Sequence, residues 1–237
     1  MRYAFSLCIL SFLVLCCSAQ AREWYREFTS QSGQTMNARP VAVIGQNIRI
    51  KRDDGAEFTV APDIFSEKDQ KFLKEWRLTF LMDQGRLLKI NTKEGGTRKE
   101  RSQDGGIESW DWNGYYEITL ENSSDIDLKN VRVEYVFFKF DDQIAADSRK
   151  DGDYKKQEGE YNINFLSARK SITTSTERIA MQKTELDAGY YWVGGGAKKS
   201  MDKLLGISMK IYVGDQLIAR YASPKDILDK VRTNSSR

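Results

Sequence analysis

The chain has 237 residues, 30% of them charged, and a formal net charge of +3, a balance too even to be a footprint for general nucleic-acid binding. It contains no histidine, and its three cysteines are Cys8, Cys16 and Cys17. Beyond residue 17 this excludes a cysteine nucleophile, a Ser-His-Asp triad, a Cys/His zinc site and a haem histidine, leaving carboxylates, Lys, Tyr, Ser and Thr as reactive groups.

Arg2, the apolar run Leu7 to Cys17 and the small-x-small triplet Ala19-Gln20-Ala21 predict a secretory signal over residues 1–21. The run is too short for a comfortable membrane span. A lipid anchor on Cys16 or Cys17 competes with clean cleavage, but Leu15 or Cys16 stands where such signals prefer a small residue. The mature chain is therefore expected to be exported, to periplasm or extracellular envelope. It would touch membrane only through an uncleaved signal, and it has no disulfide to hold it.

From Arg26 the signals are those of short antiparallel strands. Arg26 to Ser30 reads as a strand, Gln31-Ser32-Gly33 as a turn, and Thr35 to Ile44 as a second strand in which Pro40 marks a bend or an edge. Ile48 and Ile50 alternate with Arg49 and Lys51, so one face is buried and the other basic. Asp53-Asp54-Gly55 is a hairpin signal, since Asp-Gly tolerates the positive φ of a tight turn. Phe58 and Val60 are expected to continue the buried face. Past Pro62 the period changes: Ser66 with Asp69 is a helix-capping pair, and Phe72, Leu73 and Trp76 follow at helical spacing.

The order Arg26-x-Phe28-Thr29, Ser32-Gly33, Ala38, Gly45, Ile48-x-Ile50, Asp54-Gly55, Phe58-x-Val60 and Phe65-Ser66-x-x-Asp69 resembles the SLA homology domain 1 family, over about a quarter of the chain. The resemblance implies an SH3-like β-barrel over residues 22–76. In the endocytic adaptor that names the family, the module binds short peptides containing Asn-Pro-Phe and an acidic residue. A protein or peptide partner is therefore the implied expectation here, without that peptide specificity.

Residues 77–108 are read as a linker that includes a first strand at Arg86 to Thr92, with Lys93 to Gly106 a solvated loop. From 109 to 232 the pattern is strands. Trp110, Trp112, Tyr116, Ile118 and Leu120 share one face, Asn122 to Asp127 is a turn, and Val131, Val133, Tyr135 and Phe137 share a face of the next strand. Ile207, Met209, Ile211 and Val213 alternate, Gly214-Asp215 turns, and Leu217, Ala219 and Tyr221 return. Ser223-Pro224 is expected to open a closing helix, and 233–237 a disordered tail. The fold class expected is thus mainly β: a small SH3-like barrel with a short helix, then an immunoglobulin-like β-sandwich.

The candidate sites are few. Arg49, Lys51 and Arg52 form a basic hairpin face suited to an acidic peptide or a polyanion; the plain alternative is a solvated edge guarded by charge. Tyr190, Tyr191 and Trp192 beside a glycine run are a candidate sugar-stacking platform, for which Trp110 and Trp112 are better read as core. Asp147 to Glu158 has Gly152 in the sixth place of a calcium loop, but Arg149 occupies a ligand place, so a flexible loop is expected. Asp141-Asp142 and Asp151 with Asp153 are carboxylate pairs on the same stretch, read as solvated. The sequence points to a non-catalytic binding or adaptor protein with no cofactor or metal. Polysaccharide binding is the alternative, and a carboxylate-dependent hydrolase ranks third.

Overall fold

The computed structural model describes residues 25–144, 152–193 and 195–235, the last three without side chains. The predicted signal, Asp147 and Asp151 of the carboxylate-rich stretch, and the last two residues of the predicted tail lie outside the described residues; the tail's first three residues are helical rather than disordered. The protein is mainly β, with 60% of the described residues in strands and 13% in helix, and its sheets are curled. No described helix is long and apolar enough to cross a membrane.

Strands β1 (Arg26–Thr29), β2 (Thr35–Ile44), β3 (Asn47–Arg52) and β4 (Glu57–Val60) form an antiparallel meander in that order. Its tight turns carry Gly33, Gly45 and Gly55 at φ +85°, +57° and +92°, values that an L side chain resists. Pro40 bends an interior strand: β2 slips register between Pro40 and Ala42, because proline cannot donate to the ladder. The curl brings the segment after β4 back to β1. Gln31 N–H donates to Ile64 O (3.0 Å), Ser66 N–H to Thr29 O (2.8 Å), and Ser30 bridges to Phe65. Inside lie Phe28, Ala38, Ile48, Ile50, Phe65 and Leu73, each at most 1% exposed.

Helix α1 (Glu67–Asp83) starts where the capping pair predicts, though Asp69 does more than cap. Its buried carboxylate accepts from Ser66 Oγ (2.9 Å), Thr29 N–H (2.8 Å) and Arg26 Nη2 (2.5 Å), which ties the helix start to β1. The expected short helix is a correction: α1 has 17 residues and runs past Trp76. It continues because it has two apolar faces. Leu73 enters the first core, Leu78 and Leu81 enter a second, and Trp76 packs against both.

The second core lies between two sheets. The chain runs through β5 (Leu88–Gly96), β6 (Glu100–Asp104), β7 (Ile107–Asn122), β8 (Leu128–Asp141), β9 (Asp153–Leu166), β10 (Ser171–Ser175), β11 (Ile179–Leu186), β12 (Lys199–Met201), β13 (Lys203–Val213) and β14 (Gln216–Ser223). One sheet is built on β7, with β5 and β6 along one side and β10 and β11 along the other, and β12 beyond β11. The other has the order β14-β13-β8-β9. The predicted alternations hold at the centre: Tyr116, Ile118 and Leu120 of β7 face Val131, Val133, Tyr135 and Phe137 of β8 and Ile207, Met209 and Ile211 of β13. The turn after β7 is fixed by buried Asn122, whose amide donates to Ile126 O (2.8 Å), Leu166 O (3.2 Å) and Ser167 O (3.1 Å).

Four expectations are corrected here. Lys93 to Gly106 is not a loop: β5 extends to Gly96 and β6 forms a hairpin with β7. Every residue of β6 is exposed, so it shows no apolar period, and Gly95 is there because a Cβ would fall 2.4 Å from the Tyr115 ring. Asp153 to Glu158 belongs to edge strand β9, not to a flexible loop. Phe58 is 43% exposed, since β4 is also an edge. Helix α2 (Ile227–Ser235) begins three residues after Pro224, whose carbonyl accepts from Ile227 N–H (3.1 Å).

Burial pushes the phenols of Tyr116, Tyr135 and Tyr161 above their ordinary value of 10.0. A group whose folded pKa is raised contributes stability below its unfolded value and loses it as pH rises through the folded one. Denaturation midpoints measured across the alkaline range should therefore be flat to about pH 10 and fall above it. Tyr161 Oη is buried without a hydrogen-bond partner among the described residues. Tyr161→Phe is accordingly expected to leave neutral-pH stability within about 1 kcal/mol and to make the alkaline fall shallower.

Candidate functional site

The basic hairpin is divided by the parity of β3. Arg49 and Lys51 share the outer face with Arg39, which lies opposite Lys51 across the ladder. Arg52 does not join them: it follows Ile48 and Ile50 onto the other face, a correction that the period of two makes unavoidable. There its guanidinium pairs with Asp54, holding that carboxyl below its ordinary range, and lies 5.7 Å from the Phe58 ring centre. The result is an edge strand, β4, whose Thr59 and Glu57 lie beside Arg49 and Lys51 of β3 on one face, with an exposed phenyl under a guanidinium on the other. No described strand pairs with the outer side of β4.

Tyr190, Tyr191 and Trp192 stand far along the chain from this edge, on the connection between β11 and β12. Tyr190 is 53% exposed and Tyr191 76%. They do not line up as one platform. The Tyr190 ring lies over Gly106 of the β6–β7 turn, where a Cβ would come within 2.7 Å of it. The Trp192 indole N–H instead donates to Ala197 O (3.0 Å). Trp110 and Trp112 have the parity of the core face yet lie outside the core cluster. Each is half-buried under a lysine, with Lys183 Nζ 4.1 Å above the Trp110 ring and Lys99 Nζ 4.5 Å above Trp112.

The carboxylate pairs converge more than the sequence suggests. Asp141, Asp142 and Asp153 line an open hollow of about 340 Å³ together with Asp111 and Asp202. Asp202 sits where the chain leaves one sheet for the other, between β12 and β13, and is 5% exposed. It accepts from Asp142 N–H (3.0 Å), Gln182 N–H (2.8 Å) and Lys139 Nζ (2.8 Å). Lys139, equally buried, also donates to Ala180 O (2.6 Å) and to Asp141. Burial alone would raise the Asp141 pKa, but hydrogen bonds from Lys139 and Lys155 outweigh it and hold the carboxyl below its ordinary value. A general acid needs the opposite environment. These acids and this lysine join the sheets, a role invisible in sequence because Lys139 reads as one more charge in an alternating strand. Among the described residues, no group of three or more acidic side chains is placed to hold a metal.

Removing Lys139 would strand the buried Asp202 charge. Lys139→Ala should cost about 3–5 kcal/mol of unfolding free energy in denaturant titrations. Because the folded pKa of Asp141 is depressed, its contribution is present above its ordinary 3.8 and is lost as pH falls through the folded value. Stability of the wild type should decline below about pH 4, and in Lys155→Ala, where the folded pKa of Asp141 lies nearer its ordinary value, that decline should be smaller. No protein-family model and no curated protein matches the chain, so the functional reading stands on this geometry.

Proposed function

We propose that the protein is a non-catalytic, exported adaptor that binds a protein or peptide partner through the edge of β4. The first meander, returned to β1 by the bridge at Phe65 and capped by α1, supports an SH3-like barrel, in line with the resemblance of its sequence. The paired sheets support an immunoglobulin-like sandwich.

The observation that carries the reading is the two-sided chemistry of the β4 edge. A peptide adding as a further strand would gain backbone hydrogen bonds, and its side chains would alternate between faces. Those on one face would meet Thr59 and Glu57, with Arg49 and Lys51 of β3 behind them; those on the other would meet exposed Phe58 beside Arg52. The edge therefore suits an extended segment with apolar residues on the Phe58 face and, on the other, an acidic side chain that reaches Arg49 past Thr59, where Glu57 already faces Lys51. The acids of the 340 Å³ hollow support a non-catalytic reading, because their oxygens are engaged by lysines and backbone amides. Polysaccharide binding keeps one supporting observation, the exposure of Tyr190 and Tyr191.

Photo-crosslinking separates the two. A photoreactive residue at position 58, in the mature protein mixed with envelope extract, is expected to trap protein adducts that disappear in R49E/K51E. Carbohydrate adducts from position 191, with none from 58, would favour the sugar reading. Absence of adducts from 58 beyond those from exposed Lys68 would overturn the adaptor.

A further inference from the structure

Helix α1 carries a row of cations at a spacing of three: Lys71, Lys74 and Arg77. Residues three apart lie on one helical flank, here the flank turned toward the end of the paired sheets. Two adjoining hollows run along it, of about 450 and 360 Å³, and both are lined by Lys74, Leu78 and Val213. Their floor is apolar, formed by Leu78, Val213, Ile126 and Leu128, none more than 8% exposed. Lys71 stands in one hollow and Lys129 in the other.

The walls are fixed by polar contacts between the helix and the sheets. Gln216 Nε2 donates to Glu75 O (3.0 Å) and Thr79 Oγ1 (2.9 Å), and Gln46 Nε2 donates to Asp125 O (2.7 Å). Arg77 is held by Gln46 O. Lys71, Lys74 and Lys129 have no ion-pair partner among the described residues, whereas most lysines on the paired sheets do. Of the acids at the rim, Asp127 accepts from Ala168 N–H (2.9 Å), and Glu75 and Asp215 stand in the lobe beside the β13–β14 turn.

We propose that this groove is a second binding site, for an extended acidic peptide segment whose apolar side chains rest on Leu78 and Val213 while its carboxylates meet Lys71, Lys74 and Lys129. Unpaired cations over a dry floor call for an anionic group attached to an apolar one. The cation row from position 71 to 77 spans about 9 Å of helix, roughly three residues of extended chain. That length, with two lobes rather than one, selects a peptide over a single small anion. The site is separate from the β4 edge and does not depend on it.

The probe is a fluorescein-labelled peptide of alternating glutamate and leucine, with an alternating glutamine and leucine peptide as the uncharged control, titrated by anisotropy against the mature protein. The glutamate peptide should bind at least tenfold more tightly than the control, and more weakly as salt rises. K71E/K74E/K129E should lose that preference, K71R/K74R/K129R should keep it, and R49E/K51E should leave it unchanged. These surface positions leave the fold intact, as near-ultraviolet circular dichroism would check. Equal binding by wild type and the glutamate triple variant, equal binding of both peptides, no binding at millimolar protein, or loss of binding in R49E/K51E would each overturn the proposal.

Discussion

Helix α1 is the constraint on which the rest of the molecule depends. A helix with one apolar stripe closes one core; this one closes two. Leu73 is fully buried with Phe28 and Phe65, Leu78 and Leu81 are buried with the residues of β7 and β8, and Trp76 lies between, stacked on Phe80 at 4.8 Å. Each of those leucines contributes on the order of 2 kcal/mol by leaving water, and none can leave one core without moving the helix in the other. The cationic groove exists for the same reason, since one of its walls is the flank of α1 that neither core covers. A cut at residue 76/77, where the sequence suggests a boundary, falls in the middle of this helix.

The paired sheets are joined by a second device. Their centres meet through apolar side chains, including the Tyr116–Phe137 edge contact at 5.8 Å. Their far end meets through the buried Lys139–Asp202 pair, where β12 hands the chain to β13. Burying an ion pair adds little net stability, because desolvation offsets much of the attraction. What it does is penalise any register in which lysine and aspartate fail to meet. With no cysteine beyond residue 17 to form a disulfide between the sheets, that penalty helps fix how the two sheets align.

Much of this was legible in the sequence wherever a strand has one wet and one dry face. Ile48 with Ile50, the odd positions of β8 and β13, and the glycine turns all fall where a period of two and the demand for positive φ put them. The far half of β5, all of β6 and the first half of β9 escape such reading, because none of their side chains is buried on either face and backbone pairing orders them. The candidate site divides the same way. Arg49 and Lys51 follow from alternation, and the same alternation moves Arg52 to the face of Phe58. The Lys71, Lys74, Arg77 row is also written in the sequence at helical spacing, but its meaning appears only once the β13–β14 turn and the Ile126 to Lys129 segment are packed beside it. The Lys139 network carries no local signal, since its partners come from four separate segments.

The direct test of the account is whether the two cores open together. Native-state amide hydrogen exchange of the protein from residue 22 onward, read by mass spectrometry across increasing denaturant, reports the opening free energy of each strand. A helix shared by both cores predicts that the amides of β3, around Ile48 and Ile50, and those of β8, around Val133 and Tyr135, converge on one global opening energy, and that Leu81→Ala lowers both together. Exchange of β1 to β4 at a distinctly lower energy, with Leu81→Ala affecting only β7 and β8, would contradict it.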